Sequence, residues 1–412
     1  CRECTAHPLL ALLQLLAHLL DVLFLSKKIP DILLLMLVGV IAGPVSGAVN
    51  LDDIETVGKF VAVVTLVVIL FESGLNLSVK QVISAVGRAT PFALFSMATA
   101  IALMTVVFYL ILEFDLWTSL LAAFVLGGTS SAVVIPLLKS LGVSDDVSTV
   151  LTLESALTDV LCIIGTVGIA TSLASGEVVH AGGLVGKAIF SLLFAGLMGV
   201  VAGICWLLLT ARIARLKQNM FTTLAFALVI YGAAEEMVIS GAIVALAFGI
   251  TINNMPKIKL QLKGETIRIQ RLGDDEGERN VYAEVVFLLK AFFFFFLGLT
   301  IHPEDFIKLE GLCALVLAIT PFIPRMPIVR VVFGMGKLPP RREGMVAWAL
   351  VPRGLAAAVL AQYVAGLGLE HGEILSRTVT MTVFLSITLV AINIFLIERG
   401  LLDGLASVFL GN

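Results

Sequence analysis

The sequence predicts an all-α membrane protein of about thirteen transmembrane helices, built as two inverted copies with one interrupted helix in each. Three observations predict it. Of 412 residues, 59% are hydrophobic and only 14% are charged, and the mean hydropathy is +1.06, whereas a soluble domain carries about 25% charged residues. Apolar stretches that approach the roughly 20 residues needed to cross a bilayer lie at 8–25, 31–48, 54–75, 85–112, 117–139, 147–174, 184–211, 219–234, 239–252, 281–301, 309–334, 344–366 and 374–397. The wording at the end of the third stretch, "ILFESGLNLS", returns at the end of the tenth as "FFFFLGLTIHP".

Taken in order, the spans are separated by loops whose charge alternates. The chain opens on Cys1 rather than Met, so its true start is expected upstream, and the amphiphilic first span could be a retained helix rather than a signal peptide. Lys27 and Lys28 follow span 1; Asp52, Asp53 and Glu55 follow span 2; Lys80 and Arg88 border spans 3 and 4; Glu113 and Asp115 follow span 4. The loop after span 5 is mixed, with Lys139 against Asp145 and Asp146, and Glu177 follows span 6. Arg212, Arg215 and Lys217 follow span 7, Glu235 and Glu236 follow span 8, and the polar segment 253–280 follows span 9. Lys337, Arg341 and Arg342 follow span 11, and Glu370 and Glu373 follow span 12. Basic loops stay in the cytoplasm. The pattern therefore predicts a multi-pass protein of the cell membrane with its N-terminus outside and its C-terminus in the cytoplasm. The net charge of -3 is accounted for by these loops and points to no nucleic-acid partner.

The repeat extends to spacing. Gly74 and Gly298 are 224 residues apart, as are Thr129 and Arg353, the polar centres of "LGGTSSAVVIP" (126–136) and "LVPRGLAAAVL" (350–360). Seven spans separate the copies, an odd number, so the second is inserted upside down, as in secondary transporters with interrupted helices near the midplane. Gly127, Gly128, Pro352 and Gly354 favour local unwinding there. Backbone polar groups exposed at that depth need a cavity or a ligand.

Charged side chains in the spans are costly, about 2.5 to 3.5 kcal/mol or more at the bilayer centre, so each needs a partner or a role. On span 6, "TLESALTDVL" (152–161) sets Glu154 and Thr158 four residues apart, and likewise Ser155 and Asp159, as adjoining stripes of one helix face. Asp159, Ser155, the Thr129 hydroxyl and freed carbonyls at 127–131 offer oxygen ligands for a dehydrated monovalent cation. Asp159 also takes a proton, so cation and proton compete for one carboxylate. Glu154 is expected to pair with Arg353 on the opposite interrupted helix. Glu72 reads either as a further ligand or funnel charge, or as a snorkelling residue without consequence. Lys290 reads as a partner of Asp159 or Glu72 when no ion is bound, or as a snorkelling lysine. Glu284, Arg325 and Arg330 are assigned to the interface or to fold support, and Phe292 to Phe296 to a lipid-facing or packing surface.

Other chemistries find less support. Cys162, Cys205 and Cys313 read as packing residues; Cys1 and Cys4 with His7 make a weak metal signal. No HExxH or GxGD motif supports an intramembrane protease, and 253–280 holds no phosphate-binding glycine loop. No enzymatic activity and no cofactor are expected. A sodium-coupled organic anion symporter on a related inverted-repeat fold is the main rival.

Together, "ESALTDVL", "GGTSSAVV", "SGAIVALAFGI" (240–250), "KAFFFFFLGLTI" (290–301) and "VPRGLAAAVLAQ" (351–362) resemble the monovalent cation:proton antiporters, specifically the archaeal and bacterial sodium/proton exchangers, over about residues 20 to 400. The resemblance implies a homodimer working as an elevator. Interface helices 1–3 (1–83) and 8–10 (219–302, with the polar loop 253–280) would flank core helices 4–6 (84–174) and 11–13 (303–412), with helix 7 (175–218) as the link. It implies an ion- and proton-binding Asp159, with Thr129, Ser155, Thr158 and Ser130 around it, Glu72 as an additional acidic ligand, and Glu154–Arg353 as a stabilising ion pair. The expected substrates are Na⁺ or Li⁺ against H⁺, serving pH homeostasis, with K⁺/H⁺ exchange or K⁺ efflux as the alternative. Residue 400 is followed by no nucleotide-binding domain, which speaks against ligand-gated efflux. Thr158–Asp159 stands where electroneutral exchangers carry Asn–Asp and electrogenic ones Asp–Asp, which favours one ion per proton. Lys290 is a feature of the electrogenic branch.

Overall fold

The computed structural model describes residues 31–49, 51–76, 79–175, 181–212, 220–237, 239, 241–254, 260–262, 265–267, 276–334, 340–402, 404 and 407. The first expected span, Cys1, Cys4, Lys27 and Lys28 lie outside them. Every expected span from residue 31 onward has a helical counterpart. Among the described residues six helical segments are long and apolar enough to cross a membrane: Gly87–Ile111, Asp145–Ala174, Leu193–Thr210, Val281–Leu299, Leu309–Gly334 and Gly372–Glu398. Shorter apolar helices supply the rest, among them Leu116–Val125 and Leu355–Gly366, because two spans are broken in the middle.

The chain divides into two compact units. The first comprises 1–59, 85–179 and 291–412. It holds α1 (Asp31–Val40) and most of α3 (Val79–Ile111), then α4 (Leu116–Val125), α5 (Ser131–Leu141) and α6 (Asp145–Ala174). It continues with the end of α10 (Glu276–Leu299), then α11 (Leu309–Ile319), α12 (Phe322–Gly334), α13 (Arg341–Ala349), α14 (Leu355–Gly366) and α15 (Gly372–Glu398). The start of α2 (Leu51–Asn76) also belongs to it.

Local chemistry sets these boundaries. Asp115 caps α4 by accepting from the Trp117 and Thr118 amides at 2.9 and 3.1 Å. Gly142, at φ 59, ends α5 in the left-handed conformation that glycine adopts without penalty. Asp145 and Asp146 sit in the first turn of α6, where the helix dipole favours negative charge. Thr320 and Pro321 separate α11 from α12, so the expected span 309–334 carries a hinge where proline removes a backbone donor.

Phe292 to Phe296 are all buried, which settles them as packing rather than lipid-facing surface. The same turns of α10 press on α1 backbone to backbone: a Cβ on Gly298 would collide with the Met36 carbonyl and lie 3.0 Å from the Gly39 Cα. Close approach through small residues is how apolar helices associate when lipid competes for every other surface. Gly298→Ala is therefore expected to cost about 1–3 kcal/mol by overpacking, read as a lowered melting temperature in detergent.

The second unit comprises 60–84 and 180–290. It contains the end of α2 together with α7 (Ala181–Arg212), α8 (Met220–Glu236), α9 (Gly241–Asn254) and the start of α10. Gly199 and Gly203 let α7 approach α9 at Ala247 and Thr251, and Trp206, Phe226, Phe248 and Phe71 form a chain of ring contacts at 4.6 to 5.7 Å. Within the polar segment 253–280, Leu260–Leu262 (β1) and Glu265–Ile267 (β2) pair antiparallel, Leu260 opposite Ile267. That hairpin was not expected from a segment read only as a charged loop.

Candidate functional site

The expected interruptions are both present. Between α4 and α5 the chain is non-helical from Leu126 to Ser130, and between α13 and α14 from Leu350 to Gly354. The two unwound stretches touch: the Ser130 amide donates to the Pro352 carbonyl at 2.8 Å, and Gly354 packs so tightly on Ser130 that a Cβ would clash with its side chain. The Arg353 amide donates to Ser386 Oγ at 3.0 Å, tying the second break to α15.

A helix that stops inside a membrane leaves its last carbonyls without partners. Here each broken helix has a guanidinium for this purpose. Arg353 Nη1 donates to the Gly127 carbonyl at 3.1 Å and to the Gly128 carbonyl, at the end of α4. Arg325 donates from Nε to the Ala347 carbonyl at 2.8 Å and from Nη2 to the Leu350 carbonyl at 3.2 Å, at the end of α13. Positive charge at a helix C-terminus also complements the dipole.

This arrangement corrects the expected pairing of Glu154. Its carboxylate is held in a bidentate fork by Arg325, Nη1 to Oε1 and Nη2 to Oε2 at 2.7 Å, with both side chains 2% exposed. Arg325 also lies 4.8 Å above the Phe92 ring. Arg353 instead spends its hydrogen bonds on carbonyls, because the guanidinium on α12 already fills the Glu154 fork. It follows too that the Gly127 and Gly128 carbonyls, expected as free ligands, are occupied by Arg353.

Asp159 lies half-buried on α6, and its Oδ2 accepts from Ser131 Oγ at 2.6 Å. Ser131, the first residue of α5, was not among the expected site residues; the neighbouring Ser130 was. Nothing in the run "TSS" distinguishes them, since only the direction in which α5 leaves the break decides which hydroxyl meets α6. Gly128 rests directly on this carboxylate: a Cβ there would lie 3.3 Å from Asp159 Oδ1 and 3.2 Å from Cys162 Sγ.

The other hydroxyls are near but engaged. Thr158 Oγ1 accepts from the Thr129 amide at 3.2 Å, lies 3.4 Å from Thr129 Oγ1 and donates to the Ser155 carbonyl at 3.1 Å. Ser155 Oγ, fully buried, donates to the Thr152 carbonyl at 3.0 Å along its own helix. A small pocket beside the crossing is lined by Ser96, Thr129, Glu154, Thr158, Arg325 and Arg353. Asp159 is not part of its lining.

Because the Ser131 hydroxyl donates to the Asp159 carboxylate, and bonds to a charged acceptor contribute about 1.5–3 kcal/mol, Ser131→Ala is expected to raise the apparent cation KM about tenfold. Transport titrated against cation concentration checks this, and Ser130→Ala is the control.

In the second unit, Lys290 Nζ donates to Glu72 Oε2 at 3.1 Å, with side chains 26% and 35% exposed. Of the two partners left open for Lys290, it meets Glu72. Thr65 Oγ1 reaches the Leu289 carbonyl beside it at 3.5 Å. Among the described residues no group of three or more His, Cys, Asp or Glu side chains is placed to hold a metal ion.

Comparison with known proteins follows the same lines. The fold matches the sodium proton antiporter MjNhaP1 from Methanocaldococcus jannaschii at a TM-score of 0.77, covering 100% of both chains at 17% identity. A second structure of that antiporter matches at a TM-score of 0.72 and 18% identity, covering 98% of this chain and 97% of the other. The K(+)/H(+) antiporter NhaP2 of Shewanella sp. (strain ANA-3) is 26% identical over 252 residues, and that of Shewanella baltica (strain OS223) 25% identical over 257. These alignments take in 60% of this chain and 43% of each relative, so the chain spans less than half the length of the curated relatives it matches. The family model for the transmembrane region of sodium/hydrogen exchangers matches residues 9–397; the chain belongs to the sodium/hydrogen exchanger family.

Proposed function

We propose that the protein exchanges a monovalent cation for a proton across the cell membrane, with Asp159 as the group for which the two compete. The observation that carries this reading is that Asp159 is a carboxylate at the crossing without a salt bridge among the described residues. It stands half-buried at the crossing of two interrupted helices with a serine hydroxyl on one oxygen, whereas Glu154, five residues away, is held by Arg325 and both unwound carbonyl ends are met by arginines. The nearby charges are thus committed to the frame. A carboxylic acid that gives up its proton on taking a cation leaves the charge of the protein unchanged, and with Thr158 beside it instead of a second acid one cation replaces one proton. Exchange is then electroneutral.

Na⁺ or Li⁺ is the substrate favoured by the motifs; K⁺ is the second reading, supported by the similarity to the K(+)/H(+) antiporters NhaP2. Thr129, Thr158, Ser155 and Ser130 are the hydroxyls proposed to assist Asp159, and Glu72, paired with Lys290, is the additional acidic group. The protein works as a homodimer in which core helices 4–6 and 11–13 move against interface helices 1–3 and 8–10, with the N-terminus outside and the C-terminus in the cytoplasm.

The test is proton movement in sealed proteoliposomes driven in turn by Na⁺, Li⁺ and K⁺ gradients, with the membrane potential free or clamped. The ranking of ions names the substrate. Exchange that speeds up or reverses with an imposed potential would overturn the one-for-one stoichiometry and bring Lys290 into the cycle, and an organic anion carried with Na⁺ would favour the symporter.

A further inference from the structure

We infer that Arg342 and Glu343 are positioning residues for the ion site: they grip the turn between α5 and α6 and thereby set Ser131 against Asp159 from the far end of α5. The inference rests on the antiport reading above.

The geometry is that of two antiparallel half-helices pinned at both ends. α5 runs from the crossing to Leu141, and α13 runs from Arg341 back to the crossing; at 1.5 Å per residue each is about 13–17 Å long. At the crossing they are joined by the Ser130 amide and the Pro352 carbonyl. At the opposite end, which the loop charges assign to the cytoplasm, two consecutive residues of α13 do the joining. Arg342 Nη2 donates to the Leu141 carbonyl at 2.8 Å, one of the last acceptors of α5. The Glu343 carboxylate accepts from Ser144 twice, from Oγ at 2.5 Å and from the amide at 3.2 Å. Ser144 is the N-cap of α6. One dipeptide therefore satisfies the end of one helix and the beginning of the next, on either side of the left-handed Gly142 that reverses the chain.

Two neighbouring pairs hold the grip in place. Arg342 is itself fixed by Glu398 at the end of α15, Nε to Oε1 at 3.0 Å and Nη2 to Oε1 at 2.6 Å. Arg88 on α3 forks onto Asp146, two residues after Ser144, with Nη1 to Oδ2 at 2.7 Å. The turn is thus held from α3 and α13, and α15 braces Arg342.

The consequence for the site is leverage. Ser131 and Asp159 are on different helices, and the hydroxyl reaches the carboxylate because α5 leaves the break at a fixed angle to α6. That angle has two supports, the crossing and the turn. Releasing the turn lets α5 swing about the crossing, and a displacement under 1 Å breaks a hydrogen bond of 2.6 Å. Exposed ion pairs by themselves contribute little to stability, so the effect belongs in substrate affinity.

The experiment compares Arg342→Gln, Glu343→Gln, the double variant and each combined with Ser131→Ala in proteoliposomes. Each single variant is expected to raise the cation KM about threefold and the double about tenfold, with kcat within about twofold of wild type, and every combination with Ser131→Ala is expected to show the tenfold KM of Ser131→Ala alone. KM values that multiply with Ser131→Ala, a fall in kcat at unchanged KM, or no change in KM would each overturn the inference. Amide hydrogen exchange supplies a readout independent of transport. Faster exchange at 131–141 in the double variant supports the grip even where the wild type fails to exchange cations and the antiport reading falls; unchanged protection there overturns the grip alone.

Discussion

Asp159→Asn is expected to abolish cation-driven proton movement in proteoliposomes while leaving the protein folded. Asparagine keeps the shape and an oxygen that accepts from Ser131, so the bond that joins α5 to α6 survives. The side chain is half-buried and in no salt bridge among the described residues, and the neighbouring Arg353 keeps its hydrogen bonds to the Gly127 and Gly128 carbonyls in the variant. The substitution removes the single property that exchange needs, a group that is either protonated or ionised. The expected rate is that of empty liposomes for Na⁺, Li⁺ and K⁺ alike, with a melting temperature close to wild type. Asp159→Glu keeps the acid but moves its oxygens by one methylene, beyond the position that Ser131 holds, and is expected to exchange with a cation KM raised about tenfold. Undiminished exchange in Asp159→Asn would sink the site. An unfolded variant would show that Asp159 supports the fold.

The fold was largely legible in the sequence, and the reason is physical. A bilayer forces every backbone polar group to find a partner, so glycine and proline in the middle of apolar spans stand out. Gly127, Gly128, Pro352 and Gly354 marked both breaks, and the equal spacing of Thr129 and Arg353 from Gly74 and Gly298 marked the repeat. In the span between the breaks, Asp159 stands out in the sequence as a carboxylate with Ser155 a turn away.

Distances between helices distant in sequence were not legible. Glu154 had two cations available, Arg325 and Arg353, each near a helix break, and periodicity does not decide between them. A bare carbonyl end draws a guanidinium, and each of the two ends draws one. Both arginines cap an end, and it is the position of Arg325 on α12 that puts its guanidinium against Glu154. Ser131 was missed for the same kind of reason, since the direction of α5 is set at the turn 142–144 and at the crossing, not by the "TSS" run. The phenylalanines 292–296 lacked periodicity because they are buried on all sides, against α1 among others. A fully buried helix shows no apolar face to read.

The two arginines can be told apart by measurement, and the effect is expected to be large. Removing one partner of a buried ion pair costs about 3–5 kcal/mol, because the other charge is left dry. Arg325→Met should therefore unfold the protein at much lower temperature than wild type, and more severely than Glu154→Gln, because it also strips the Ala347 and Leu350 carbonyls of their donor at about 1–3 kcal/mol each. In a double-mutant cycle on thermal unfolding in detergent, Glu154→Gln with Arg325→Met should recover part of the loss, a coupling of about 2 kcal/mol or more between groups that share two hydrogen bonds. Glu154→Gln with Arg353→Met should be close to additive. Coupling to Arg353 instead would mean that the pairing first expected is the one that holds in solution, and the carbonyls of Gly127 and Gly128 would then be free to bind the cation. Coupling to Arg325 leaves Arg353 where the structure puts it, a fixed positive charge holding the broken end of α4. Glu154 then belongs to the frame around the crossing.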